Sequence, residues 1–491
     1  MIFEKQFKEI CKLCDEVLIS DFSNKEIVAT SWLHVIREHS EFTNRYKILF
    51  QNKKEFFIFF LIKKIFYFFL RIFKNYFIKK NKISYIGNID KIDILIVSHF
   101  LNVNQIGKED DFYFGNLASE IKKLGKKVVI SLINHTDKST EVVKNKWKID
   151  PKISRIIFGK DINIRYEFKI ILGLLKNLLK IHKLNKKNYS FKKKIYNQLK
   201  KELFSVDTIN NLKIYYQTKE LIKKYKPKII ILIHEGHAHE RIIFKSAREV
   251  DKNIKCIGYQ HACIFKNQHS LKRHLQNGYN PDIILTSGEK PNKILENNFV
   301  KKNVKIKKLG SHRYLKKKIE NFSKKDNFCL VLPEGLPREC KYLFDLTLDY
   351  SNKFQDMKFI WRLHPIITFD YLIKNKLIHA KIPKNIILSE NSLEDDILNS
   401  KWALYRGTTA IFTAVANGVY PIYYNYRDTI STDPLYEINN RSSIKNIHDL
   451  NNIFKNQKDF LKFEKLNQSA DYCDQSFEKY NLKTIKEIFN V

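Results

Sequence analysis

The tetrapeptide Arg406-Gly407-Thr408-Thr409 lies inside the stretch KWALYRGTTAIFTAVANGVYPIYY (401–424), between one apolar run and the next. A glycine and two hydroxyls where a strand hands over to a helix suit an anion. Free backbone N–H groups and the positive end of the helix dipole converge there, and Gly407 lets the backbone come close. Thr408 and Thr409 either cap the helix or donate to phosphate oxygens. An ordinary capped helix has the same signature, so this stretch alone does not define a phosphate site.

Four other clusters carry comparable chemistry. Glu334 and Gly335 follow the apolar run NFCLVL, and Arg362, His364 and Pro365 end KFIWRLHP. An arginine and a histidine near Thr408 would give several donors to one pyrophosphate or phosphodiester. Gln260 and His261 end IKCIGYQH, where a neutral imidazole donates to a phosphate or sugar hydroxyl, or moves a proton near pH 7. His234, Glu235, His237 and His239 crowd the segment HEGHAHE. The zinc pattern HExxH fails because position 238 is alanine, so no metal is expected, and Glu235 or His234 reads as the lining of a polar cleft. Asp110 and Asp111 sit with Gly107 and Glu109 in the loop after IDILIVSHF.

All of these residues stand just after short apolar runs of the kind that form parallel strands buried on both faces. Ligands of open α/β sheets bind beyond the carboxyl ends of such strands. The runs IDILIVSHF, KVVISLI, KPKIIILI, IKCIGYQ, PDIILTS and VKIKKLGS predict a first α/β domain, with a helix over about 114–124. NFCLVL, KFIW, NIILSE, WALY (402–405) and YPIYY (420–424) predict a second, with helices over 393–399 and 410–417. The polar stretch KKKIENFSKKD (316–326) separates them as a linker. SWLHVIREHSEF (31–42) is predicted helical, with no chemistry assigned to it. The expected organisation is an N-terminal extension over 1–90, a Rossmann-like domain over 91–315 with a helical insertion at about 161–205, a second Rossmann-like domain over 316–455, and a C-terminal helical segment over 456–491 that packs back on the first domain.

The chain has 491 residues and a formal net charge of +37. That charge suits nucleic acid, an anionic membrane or phosphorylated substrates, or reflects a general drift toward lysine. No nucleic-acid-binding motif is visible, so nucleic acid is not an expected partner. The segment FFIFFLIKKIFYFFLRIFKNYFIKK (56–80) is too interrupted by charge to span a bilayer, but its wide apolar surface with a basic stripe suits a helix lying in a membrane interface. A second basic amphipathic stretch covers 161–183, with Lys169, Gly173, Lys176, Lys180 and Lys183 set against Ile170, Ile171, Leu174, Leu175, Leu178 and Leu179. Seven scattered cysteines read as buried thiols of a reducing compartment, and the N-terminal residues show no unbroken apolar signal-peptide core.

In the order LPEG (Glu334, Gly335), RLHP (His364, Pro365) and RGTTA (Thr408, Thr409), the second half resembles the donor-binding half of GT-B glycosyltransferases. It is most similar to bacterial enzymes of surface-polysaccharide assembly, capsule and lipopolysaccharide included, that use CMP- or CDP-activated donors: sialyltransferases, Kdo transferases and glycerophosphotransferases. The resemblance covers roughly 330–424. Thr413 and Ala414 stand where those enzymes often carry the acid that holds a ribose. The resemblance implies an α/β GT-B fold, two Rossmann-like domains facing a cleft. It also implies a nucleotide-sugar substrate without a separate cofactor, and a glycan or lipid-linked acceptor. Thr408, Thr409, Gly407, His364 and Arg362 would hold the donor phosphate, with Glu334 and Gly335 near the nucleotide or sugar. The base would come from the first domain, among Glu235, Asp110, Asp111 and His261. A cytoplasmic enzyme, peripheral on the inner membrane, is expected. A polyol-phosphate transferase or sugar-nucleotide epimerase on the same fold, and a nucleic-acid or scaffold protein, are the alternatives.

Overall fold

The computed structural model describes residues 4–37, 43–51, 63–64, 66–67, 69–70, 81–147, 151–186, 191–299, 304–316, 319, 326–378, 381–426 and 430–490. Most of the aromatic segment 56–80 and of the 316–326 linker lies outside these residues, as does the end of the predicted helix 31–42.

Two sheets organise the molecule. The first holds β1 (Ser84–Ile86), β2 (Ile94–Phe100), β3 (Val128–Asn134), β4 (Arg155–Phe158), β5 (Ile229–Ile233), β6 (Lys255–Gln260), β7 (Ile283–Thr286) and β8 (Lys305–Lys308). Its order is β1-β4-β3-β2-β5-β6-β7-β8, and every pair is parallel except the edge pair β1 and β4. The second holds β9 (Phe328–Leu332), β10 (Lys358–Trp361), β11 (Ile386–Leu388), β12 (Ser400–Tyr405), β13 (Tyr420–Tyr424) and β14 (Ser442–Ile444). Its order is β11-β10-β9-β12-β13-β14, wholly parallel. This is the 3-2-1-4-5-6 order of a Rossmann unit, and β4-β3-β2-β5-β6-β7 repeats it in the first sheet. The architecture is therefore α/β, two Rossmann-like units, as the GT-B expectation required.

Each order reverses at one place: between β2 and β5 in the first sheet, and between β9 and β12 in the second. Loops leaving adjacent strands at such a point diverge to opposite faces and leave a crevice. The strands are apolar on both faces because helices cover both; Ile229–Ile233 is buried at every position.

Within 31–42, the described residues 31–37 do not form an α-helix. Ser31–Leu33 forms one 3-10 turn, and the chain then runs buried and without regular structure through residue 36. Trp32, Leu33, His34, Val35 and Ile36 are buried in succession, a pattern without helical period, and Ile36 O accepts the backbone N–H of His269 and Ser270 (2.8 and 3.2 Å). The helix Ile164–Lys186 exists, but its apolar face is used inside the protein. Ile170, Ile171, Leu174, Leu178 and Ile181 pack with the helices Glu4–Ile19, Phe191–Glu202 and Val206–Tyr225 in one core. Gly173, expected on the basic face, lies against Glu26 instead. The C-terminal helix Leu482–Phe489 buries Ile485, Ile488 and Phe489 in the core of the first sheet.

Candidate functional site

Three of the sequence clusters come together on the second sheet, because β10, β9 and β12 are neighbours and parallel. Their following loops therefore leave from the same edge. A Cβ at Gly335 would stand 3.0 Å from His364 Nδ1, so these two loops touch. Gly407 has φ +61°, a left-handed conformation that disfavours other residues, and a Cβ there would run into the Glu334 carboxylate. Glu334, Gly335, His364 and Gly407 thus surround the switch point between β9 and β12. Thr408 is buried and its Oγ accepts from Ala410 N (3.3 Å), while Thr409 begins the helix Ala410–Ala416, exposed, with no side-chain capping bond. Beside Gly407, Thr432 is 4% exposed and its Oγ1 has no hydrogen-bond partner among the described residues.

The two arginines nearest this crevice in sequence are engaged elsewhere. Arg362 donates to Asp396 Oδ2 (2.7 Å), Asn391 O (2.7 Å) and Ser389 Oγ (3.3 Å), so the assisting phosphate contact expected of it is not what its guanidinium makes here. Arg406 is buried, bonded to Glu339 (2.7 Å) and Tyr424 O (2.6 Å), and fixes the turn from within.

On the first sheet, Glu235 and His237 follow β5 in a tightly built loop. Glu240 is buried, and its carboxylate accepts the backbone N–H of Glu235 (3.0 Å), Gly236 (2.7 Å) and His237 (3.1 Å). It also lies 2.9 Å from His234 Nδ1, so His234 is a buried structural partner rather than a cleft group. This arrangement leaves Glu235 and His237 half-buried, 3.4 Å apart through Oε2 and Nε2. Burial works to raise the Glu235 pKa, but the His237 hydrogen bond and the charges of His261, His237 and Arg37 prevail and bring it down to about 2. His261, at the end of β6, packs edge-on against Tyr113 (4.7 Å between ring centres), and its buried Nδ1 has no partner among the described residues. Burial pushes its pKa below the usual imidazole value, against the pull of Glu235. Around the β2–β5 switch point, His99 Nδ1 lies 2.8 Å from His135 Nε2, and His239 stands edge-on to His99.

The acids of the 101–111 loop are placed differently. Asp111 Oδ1 is taken by Ser98 Oγ (2.8 Å), Tyr113 N (2.8 Å) and Phe114 N (2.9 Å); it closes its own turn and is buried. Asp110 is exposed. Among the described residues no group of three or more His, Cys, Asp or Glu side chains is arranged to hold a metal ion.

One residue without any sequence signal stands between the two sheets. Arg37, in the run misread as a helix, donates from Nη2 to Glu334 Oε1 (2.9 Å), with its guanidinium 3.8 Å from the centre of the Phe265 ring. It joins the first domain to the β9 loop of the second. Cys263 and Phe265 carry the same junction into a core shared with Leu330, Leu332 and Tyr405.

No family model and no curated protein matches the chain. Similar solved structures include MurG of Acinetobacter baumannii, at 11% identity over 81% of this chain and 99% of that one, with a TM-score of 0.46. A UDP-GlcNAc 2-epimerase of Methanocaldococcus jannaschii in complex with UDP-GlcNAc and UDP matches at 12% identity over 81% and 98%, with a TM-score of 0.42. The glycotransferase of kitacinnamycin matches at 8% identity over 82% and 99%, with a TM-score of 0.42. The two-Rossmann architecture of this chain rests on its own strand order, not on this likeness.

Proposed function

We propose that the protein is a glycosyltransferase that moves a sugar from a nucleotide donor to a glycan or lipid-linked acceptor, with the donor in the second domain. The observation that carries this is the meeting of the Glu334–Gly335, His364 and Gly407–Thr408 loops at the β9–β12 switch point, where Arg37 pairs with Glu334 while its charge also acts on Glu235 of the first sheet. The loop backbone at Gly407 and the His364 imidazole would meet the charge that develops on the leaving nucleotide, without a divalent ion. His261 would accept the proton of the attacking acceptor hydroxyl as its oxygen bonds to the anomeric carbon and the bond to the phosphate oxygen breaks. Glu235, ionised throughout the working pH range, would stabilise the resulting imidazolium; a carboxylate with so low a pKa is a weak base itself. A CMP-linked sugar of the Kdo or sialic-acid kind is the favoured donor, on the motif order LPEG, RLHP, RGTTA.

The membrane surface belongs to the same proposal. On the helix Ile164–Lys186, Phe168, Leu172 and Leu179 are exposed among Lys169, Lys176, Lys180 and Lys183. Such a stripe would hold the enzyme against anionic lipid, where lipid-linked acceptors lie. No helix among the described residues is long and apolar enough to cross a membrane.

The test is incubation with a panel of CMP-, CDP- and UDP-activated sugars and a lipid-linked glycan acceptor, with products read by mass spectrometry. Transfer with release of free nucleotide is expected. Conversion of a sugar nucleotide to its epimer without an acceptor would replace the transferase reading with the epimerase one.

A further inference from the structure

The crevice between β9 and β12 is not lined by uncommitted anion donors. The acidic group at its mouth, Glu334, is paired with a cation from the other domain. Arg37 is held in place before any ligand arrives. Its neighbour Ile36 is pinned through its carbonyl to His269 and Ser270, and the guanidinium carbon sits over the Phe265 ring, 3.8 Å from its centre. Side-chain exposure is 15% for Arg37 and 20% for Glu334, so the pair is largely withdrawn from water. Of the two terminal nitrogens of Arg37, Nη2 holds Glu334, whereas Nη1 is buried with no hydrogen-bond partner among the described residues. Leaving a guanidinium N–H buried and unpaired is costly, and such a group marks a place where a partner is missing. A second orphan faces the same crevice: Thr432 Oγ1, whose nearest approach to a Cβ built on Gly407 is 3.7 Å. The same Cβ would collide with the carboxylate of Glu334.

An arginine fork fits two oxygens of one anion, and a carboxylate that engages only one nitrogen leaves half of the fork empty. A donor's phosphodiester presents two non-bridging oxygens set wider apart than those of a carboxylate, and a pyrophosphate presents four. We propose that Arg37 is the cross-domain receptor for the donor's phosphate, that Thr432 completes this receptor, and that Glu334 occupies it as an internal anion when no donor is bound. Binding then exchanges one partner of Arg37 for another. The donor phosphate takes both terminal nitrogens and the Thr432 hydroxyl, and Glu334 is released toward the nucleotide sugar. Because Arg37 is fixed to the first domain and Gly407 belongs to the second, the exchange also couples donor occupancy to the seating of one domain on the other. The ligand class is a nucleoside mono- or diphosphate group. This rests on the donor reading given above and adds to it the cation that Arg362 and Arg406 do not supply.

The experiment is calorimetric titration of CMP, UDP, cytidine, uridine and inorganic pyrophosphate into the full-length protein. The forms compared are the unaltered protein, Arg37→Lys, Arg37→Ala, Glu334→Gln and the double variant Arg37→Ala with Glu334→Gln. Folding of each form is checked by its near-ultraviolet circular dichroism. Loss of the fork weakens nucleotide binding by about tenfold in Arg37→Ala, with a partial loss in Arg37→Lys, and leaves nucleoside binding unchanged. Glu334→Gln removes the competitor and tightens nucleotide binding by about fivefold, and that gain disappears in the double variant, because it acts through Arg37. Nucleotide affinity that is indifferent to Arg37 overturns the proposal and leaves the donor reading standing. Weaker binding in Glu334→Gln, in both backgrounds, also overturns it and makes Glu334 a direct ligand of the nucleotide. If no form binds any nucleotide, the donor reading falls and this proposal with it.

Discussion

At the scale of single residues, function turns on which charged groups remain available once packing has taken its share. Arg362, Arg406, Asp111 and His234 have the right chemistry and are engaged in holding turns; Arg37 joins the two sheets, and Glu235 and His261 follow the ends of β5 and β6 close enough for Glu235 to feel both His261 and Arg37. Replacing His261 by Gln is expected to lower turnover by about 10²- to 10⁴-fold with little change in donor affinity, as for loss of a general base, measured as kcat and KM separately. Glu235→Gln should also lower kcat, but without moving an acid limb into the pH 5 to 8 range, since Glu235 is already ionised above about 2. The histidines give stability its pH dependence. His99 is held down to about 3, first by burial and then by the charges of His135, His237 and His261. A group whose folded pKa is depressed contributes stability that is complete above its unfolded pKa of about 6.5 and is lost as pH falls toward the folded value. Melting temperature should therefore fall as pH drops from 7.5 to 5, and His99→Asn should flatten that slope; a profile unchanged by the substitution contradicts it. The sequence announced the Glu, His and Thr clusters because they sit at the ends of recognisable strands. It did not announce Arg37 or Thr432, whose roles come from segments that meet only in the folded chain: Arg37 with Glu334, 297 residues away, and with Phe265, and Thr432 beside Gly407.

At the scale of elements, the turn after β12 concentrates the most constraint. Gly407→Ala places a Cβ at φ +61° against Glu334, so a loss of about 1–3 kcal/mol is expected in denaturant unfolding, together with loss of nucleotide binding. Glu339→Ala leaves Arg406 buried without its carboxylate and is expected to cost about 3–5 kcal/mol. Unchanged unfolding midpoints would show that the turn is not held as described. The strands of both sheets were legible because parallel strands covered on two faces read as continuous apolar runs; IDILIVSHF became Ile94–Phe100 and NFCLVL became Phe328–Leu332. Ser84–Ile86, Arg155–Phe158 and Ser442–Ile444 were not read as strands, being three or four residues long and without that signature. The described part of the 31–42 run, 31–37, departs from the helix expected there because Trp32–Ile36 are all buried, and Ile36 is pinned to the loop at His269 and Ser270, which the sequence does not show.

At the scale of the whole molecule, the strand orders matter more than any single motif. Two Rossmann orders, each with one reversal, place two crevices at carboxyl strand ends, and the Arg37–Glu334 pair bridges the elements that carry them. The basic face outside this junction has its own test. Reversing Lys169, Lys176, Lys180 and Lys183 to Glu should abolish binding to vesicles containing phosphatidylserine, and the unaltered protein should bind them less tightly as salt rises. Retention of the quadruple variant on such vesicles would move the contact elsewhere. The expectation of a membrane-surface helix at 56–80 falls mostly on residues outside those described. The most direct measurement is a crystal structure of the protein with CMP or UDP bound. Phosphate oxygens within hydrogen-bond distance of the Gly407–Thr408 backbone and of Arg37, with the base against the second domain, are expected. A nucleotide seated on the first sheet alone, or phosphates with no contact to the β9 and β12 loops, would contradict the assignment of the donor to this crevice.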